Sequence, residues 1–315
     1  MKPNEIIQQV NFIRENFKEL KSKSVIDQID LSEFYMLGEK IFTQQLFDFV
    51  EPYDALYLVP YGPLHYLPLH AMKFEGQEAA IIEKFVCAYL PSASILKFLQ
   101  RQPIEKPNIL TIGVDSLSFE ASFVTEAVQV LEEVKPLSGQ AKILMNESAN
   151  IQNVKQAIVE EFNILHFSTH GDFKEDEDAL DAHILLADNT RLSARDILDL
   201  ITQQTHKPYY SIITMSACLT GQSENRAGDE LIGLNRALIY AGASGLITTL
   251  FPVYKKVTAS KRYPELSFAN FYRIWLKEQA HPNKAKAFQE YILTIKNSKY
   301  GHPFFWFSFI YTGGI

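Results

Sequence analysis

Only two of the 315 residues are cysteines, Cys87 and Cys218. Two thiols make no disulfide framework, so the fold has to stand on its apolar core, and a reducing cytoplasm is the expected compartment. Basic charge is also in short supply: 30 Lys and Arg stand against 37 Asp and Glu, for a net charge of −7. Such a chain offers no obvious phosphate-binding face, so a direct nucleic-acid partner is not expected. No apolar run approaches the ~18–20 residues of a membrane span. The opening MKPNEIIQQV does not read as a secretory signal. Neither an HExxH string, a GxSxG elbow nor a Walker A loop is present, which removes the signatures of three large enzyme classes. His166 and His170 are four residues apart, about 13 Å along an extended strand, too far for one metal ion. No metal or cofactor is expected.

What the chain does have is apolar material: 47% of it is hydrophobic and 12% aromatic, enough for a sizeable core in one large or two modest domains. Over the first fifty residues Ile6, Val10, Ile13, Phe17 and Leu20 recur at helical spacing, and Phe34, Leu37, Ile41, Phe42, Leu46 and Phe49 continue the pattern. From Asp54 the grammar changes to short apolar runs closed by turn residues. ALYLVP (55–60), FVCAYL (85–90), NILTIGVD (108–115), KILMN (142–146), NILHFSTHG (163–171), HILLAD (183–188), YYSIITMSACLTG (209–221), GLITTLFPV (245–253) and FFWFSFIYTGG (304–314) read as strands. Helices are expected after Pro91, at 120–135, 150–162, 193–203 with Ser193 as N-cap, and 229–241, followed by two more before the last strand. Near-continuous apolar strands alternating with helices predict an α/β fold, with a mainly parallel central sheet covered on both faces and a helical segment at the N-terminus.

In open α/β sheets, ligands bind beyond the carboxyl ends of the strands. Two strands end on residues with chemistry to offer: ILHFSTHG on His170 and IITMSACLTG on Cys218. As parallel neighbours they would bring both ends to one edge, ~5 Å apart per strand step. His170 would then act as general acid/base and Cys218 as nucleophile. The backbone N–H groups of Gly171 and Cys218 are the candidate oxyanion donors, and Gly221 permits a sharp turn after the nucleophile. A single histidine at a strand end or a single cysteine in an apolar run is ordinarily structural, and Cys87 inside FVCAYL is assigned to the core. The pair at matching strand ends, 48 residues apart, carries the catalytic assignment.

Several ordered blocks add to this. LYLVPYGPLHYLPLHAM, ILHFSTHGDF, IITMSACLTG, GDELIGLNRALIYAGASGLITTLFPV and FFWFSFIYTGG resemble the successive blocks of a CHAT domain, a caspase-like protease domain related to separase. The resemblance implies a caspase-like α/β/α sandwich over residues 53–315, preceded by a helical segment at 1–52. Residues 53–140 would form the less catalytic half and 141–315 the half with the dyad. It implies a cysteine endopeptidase with His170 and Cys218 as its dyad and no metal in catalysis. Its substrate would be a protein, with control by an activating or sensor protein in trans. Bacterial defence or regulated cell death is the implied setting, and a gasdermin-type protein the implied target.

The chain departs from the family pattern at Leu219, where an acidic residue is usual, and at Phe251, Lys255 and Lys256 in the block LFPVYKK. In the wider clan the residue two before the cysteine helps line the substrate pocket. Here it is Ser216, which is neutral, and a cation buried without a carboxylate partner is costly, so strict Lys/Arg cleavage is not expected. The loop after the histidine, with Asp172, Glu175, Asp176, Glu177, Asp178 and Asp181, reads either as a solvated loop or as a surface for a basic substrate, with Asp172 nearest the dyad. The alternative functions are a catalytically silent scaffold that binds a partner protein, and another thiol-based acyl transfer at the same site.

Overall fold

The computed structural model describes residues 3–18, 30–99, 106–115, 123–172, 178–205, 208–217, 224–226, 230–251, 264–277 and 283–315. Its centre is an eight-stranded sheet. Among the described residues the strands are β1 (Ala55–Leu58), β2 (Val86–Tyr89), β3 (Asn108–Gly113), β4 (Gln140–Met145), β5 (Ile164–Ser168), β6 (Gly171–Asp172) and β7 (His183–Leu185). They continue with β8 (Arg191–Ser193), β9 (Ile212–Ser216), β10 (Glu224–Arg226), β11 (Glu230–Ile232), β12 (Gly245–Thr249) and β13 (Phe309–Gly313). The helices are α1 (Pro3–Lys18), α2 (Ser32–Ile41), α3 (Gln44–Val50), α4 (Ile81–Lys84) and α5 (Phe123–Val134). After them come α6 (Ile151–Ala157), α7 (Ala194–Thr202), α8 (Leu234–Tyr240), α9 (Phe268–Lys277) and α10 (Lys284–Lys296).

The central sheet runs β1-β2-β13-β12-β9-β5-β3-β4. Every pairing in it is parallel except β12 with β13. That one antiparallel seam divides the sheet into two parallel blocks, and β12, β9, β5, β3 and β4 all point their carboxyl ends at the same edge. Side chains of these strands alternate between two cores, as the two-residue period of a strand requires. Ile109, Ile164, Ile212 and Ile247 join one core, with residues of α5, α9 and α10. Their neighbours Leu110, Leu165, Ile213 and Leu246 join the other, with residues of α6, α7 and α8. The result is a mixed α/β sandwich with helices on both faces of the sheet. Burial on both faces explains why these strands read as unbroken apolar runs. Each fully buried Ile or Leu contributes roughly 1.5–3 kcal/mol relative to exposure.

The N-terminal helices add to the first of these cores. Val10 and Ile13 of α1 and Phe34 and Leu37 of α2 are buried in it, and the Phe34 ring meets Phe307 edge-on at 6.5 Å.

Three segments differ from their sequence-based expectation. Residues Ala93–Phe98 form a 3-10 helix rather than an α-helix. The HILLAD run does not enter the central sheet: β7 pairs antiparallel with β6 and β8 in a separate three-stranded sheet. Asp188 and Asn189 take left-handed backbone angles, φ 57° and 54°, which Asp and Asn tolerate best among non-glycine residues. They reverse the chain so that 183–185 and 191–193 pair with each other. Last, the helix expected from 229 starts only at Leu234, because 230–232 is a strand paired with 224–226. Gly233, at φ 152°, joins the two.

Candidate active site

Strand β5 stops at Ser168, two residues short of the histidine. The reason is a change of partner. Thr169 Oγ1 donates to the carbonyl of Leu185, the Leu185 N–H donates to the His170 carbonyl at 2.8 Å, and Gly171 opposes Ile184 in the small sheet. His170 therefore sits where the chain leaves the central sheet for the small one, with backbone held from both sides. Its half-buried ring meets the Phe123 ring edge-on, with centroids 4.6 Å apart. Phe123 is buried at the first turn of α5. That turn is tied to the same sheet edge, since Val124 N–H donates to Asp115 Oδ1 at 3.1 Å and Asp115 N–H donates to Asn146 Oδ1 at 2.9 Å.

Strands β5 and β9 are parallel neighbours, in register from Ile164 opposite Ile212 to Ser168 opposite Ser216. Ser216 and Ala217 are buried, and the Ala217 carbonyl accepts a hydrogen bond from Thr249 Oγ1 of β12. Cys218, Leu219 and Gly221 lie outside the described residues. The backbone of Asp172 pairs with His183 in β6; its side chain lies outside the described residues, as do residues 173–177. The remaining acidic residues of that loop have a structural use. Asp178 and Asp181 each lie 3.3 Å from Arg195 Nη2 in the first turn of α7, an exposed arrangement of the kind that contributes little to stability.

Beneath this edge lies a buried polar layer. Glu126 of α5 is wholly buried. Its Oε2 accepts hydrogen bonds from Ser168 Oγ at 2.8 Å and from Ser216 Oγ at 2.6 Å. Two pairs further back, on the same face, His166 stands opposite Thr214. Thr214 Oγ1 bonds both His166 Nδ1 and the Tyr272 hydroxyl, each at 2.7 Å. Burial pushes the Tyr272 phenol up, the Thr214 bond opposing it and the Glu126 charge adding to it. Sequence reasoning did not single out Glu126, although a signal existed. Phe123, Ala127, Val130 and Val134 make the buried stripe of α5, and Glu126 is a carboxyl group at helical spacing within that stripe.

The other reactive types sit elsewhere. Cys87 is buried in β2, its thiol pushed up by burial, which makes it a poor nucleophile. His70 is also wholly buried, its imidazole pushed down to about 3 by desolvation. Among the described residues no group of three or more His, Cys, Asp or Glu could hold a metal ion, and no helix is long and apolar enough to cross a membrane.

The fold has solved relatives among cysteine proteases. The chain is similar to the Arg-specific cysteine proteinase gingipain R, with a TM-score of 0.57, 11% identity, and coverage of 98% of this chain and 74% of the other. The complex of the RgpB pro- and mature domains of Porphyromonas gingivalis matches at TM-score 0.53 and 11% identity, over 98% of this chain and 75% of that one. Saccharomyces cerevisiae separase in complex with securin matches at TM-score 0.52 and 13% identity, over 91% of this chain and 17% of separase. No curated protein matches the chain. At these identities the likeness is one of fold, and the fold is that of caspase-like proteases. The CHAT domain family matches residues 36–314, nearly the whole length, and the chain belongs to that family.

Proposed function

We propose that this chain is a cysteine endopeptidase in which His170 and Cys218 form the catalytic dyad. The observation that carries the proposal is the parallel pairing of β5 with β9, with Ser168 opposite Ser216. His170 follows the first of these serines by two residues and Cys218 follows the second by two. Adjacent strands are ~4.8 Å apart, so two short chain extensions start side by side at one sheet edge. Membership of a protease-related family and likeness to cysteine-protease folds support the same reading.

In the proposed reaction His170 takes the proton of the Cys218 thiol, and the thiolate attacks the scissile carbonyl carbon. Negative charge moves onto the carbonyl oxygen, where the N–H groups of Gly171 and Cys218 are the proposed donors. His170 then delivers its proton to the leaving amine as the C–N bond breaks. Water, deprotonated by the same histidine, releases the acyl group from sulfur. The proposed substrate is a protein, with Ser216 and Asp172 as the nearest candidate pocket residues. We place its control in a partner acting in trans, and its setting in bacterial defence or regulated cell death with a gasdermin-type target.

The experiment compares the wild type with Cys218→Ala and His170→Ala on candidate target proteins, with new N-termini mapped by mass spectrometry. Cuts made by the wild type and lost in both variants are the expected result. Target binding without cuts in any of the three would replace the protease with a partner-binding scaffold.

A further inference from the structure

Glu126 has no part in the dyad chemistry, yet it lies against the ends of the two strands that precede the dyad residues. A single oxygen of its carboxyl group, Oε2, receives both Ser168 Oγ and Ser216 Oγ. Those two serines are the last paired residues of β5 and β9. Each is two residues from a member of the proposed dyad. All three side chains are enclosed: Glu126 and Ser168 are 0% exposed and Ser216 1%. Placing a carboxyl group on the core face of a helix is costly unless its hydrogen bonds are made. The cost is met here at the one level of the sheet from which the catalytic segments depart.

We propose that Glu126 is a positioning residue for the dyad: by binding Ser168 and Ser216 through one oxygen, it sets the spacing and twist of the two strand ends that lead along the chain to His170 and Cys218. The proposal rests on the dyad assignment above. Helix α5 adds a second connection, because Phe123, one turn before Glu126, carries the His170 ring at 4.6 Å. One helix thus touches the histidine by a ring contact and both strands by a shared acceptor. A shift in that helix would move the histidine relative to the cysteine. Misplacement on the order of 1 Å costs about 100-fold in a reaction that depends on alignment.

The shared acceptor predicts which substitutions are tolerated. Glu126→Gln retains a carbonyl oxygen able to accept two hydrogen bonds. Glu126→Ala retains none. Ser168→Ala and Ser216→Ala each remove one arm. Because both arms end on the same atom, the effects of the two serine substitutions should not add.

The test is the rate of iodoacetamide alkylation at Cys218, site-resolved by mass spectrometry, as a function of pH. Buried Cys87 serves as the internal reference, and His170→Ala as the variant lacking the base. In the wild type, Cys218 should react fast near neutral pH, with an apparent pKa below the ~8.5 of a free thiol, and His170→Ala should remove the advantage. Glu126→Ala should lose roughly 10-fold or more of the Cys218 rate at pH 7 and move its apparent pKa back toward ~8.5. Glu126→Gln should stay within about 2-fold of the wild type. A merely structural role would change the melting temperature and leave the pH profile in place. If Glu126→Ala does not fold, the serine variants carry the test. Their double variant should lose little more than the greater of the two single losses.

Wild-type-like profiles in Glu126→Ala, or in both serine variants, alongside a strong effect of His170→Ala, would overturn the positioning role and leave the dyad standing. A Cys218 rate unaffected by His170→Ala would overturn the dyad, and the role of Glu126 with it.

Discussion

The buried imidazole of His70 makes the fold sensitive to mild acid. His70 lies in a 3-10 turn at Leu69–Ala71, 0% exposed, with its ring edge-on to Tyr89 and Trp306. Its backbone N–H donates to the Tyr89 hydroxyl at 3.0 Å, and that hydroxyl lies 2.9 Å from Nδ1. The Nδ1 to hydroxyl bond is available to the neutral ring in either tautomer. Desolvation pushes the folded-state pKa down to about 3, whereas an unfolded histidine titrates near ~6.5. The unfolded chain therefore binds the proton first. Stability is complete above pH ~6.5 and falls by about 1.4 kcal/mol per unit as pH drops, until the folded ring itself protonates near 3. Between pH 7.5 and 4.5 the loss from this one residue is about 2.7 kcal/mol.

The control is His70→Asn, whose side-chain amide can take the place of Nδ1 as donor or acceptor but does not titrate. Urea unfolding of both proteins at pH 7.5, 6.5, 5.5 and 4.5 gives two stability curves. Other acid-sensitive groups act on both and cancel in the difference. The wild-type curve should fall below its neutral-pH offset from the variant by about 2.7 kcal/mol at pH 4.5. Parallel curves would refute the assignment of a neutral, desolvated His70.

Gly242 has φ +108°, and a Cβ added there would lie 2.1 Å from the Pro208 carbonyl oxygen. Gly242→Ala should therefore destabilise by about 2 kcal/mol or more, seen as a lowered denaturation midpoint at unchanged slope. Ser193 caps α7: its Oγ accepts from Asp196 N–H, and Asp196 Oδ2 accepts from Ser193 N–H. Ser193→Ala should cost about 1 kcal/mol in the same measurement, and a change within error would show that the cap carries no net energy.

Legibility followed the range of the interactions involved. Strands β3, β5, β9 and β12 were readable because burial on both faces demands unbroken apolar runs, and that demand is written in consecutive residues. Ser193 as a helix start was readable for the same reason, its capping partner being three residues away. The end of β5 was read two residues late. Thr169 and His170 continue the pattern, and only their bonds to Leu185 show that they have left the central sheet. The 183–193 hairpin was missed because a short apolar run has no local mark of which sheet it joins. Glu126 was passed over inside the helix expected at 120–135, because its partners are 42 and 90 residues away.

By itself, the sequence determined the alternation of buried strands and helices, the scarcity of cysteine, and the presence of a histidine and a cysteine that each follow an apolar run. Tertiary structure alone decided that β5 and β9 are neighbours with Ser168 opposite Ser216, that β13 lies between β2 and β12, antiparallel to β12, and that a glutamate from α5 lies beneath the edge. Local composition reports whether a residue will be buried. Which buried residues meet depends on how distant elements pack, and a pattern read along the chain does not contain that order.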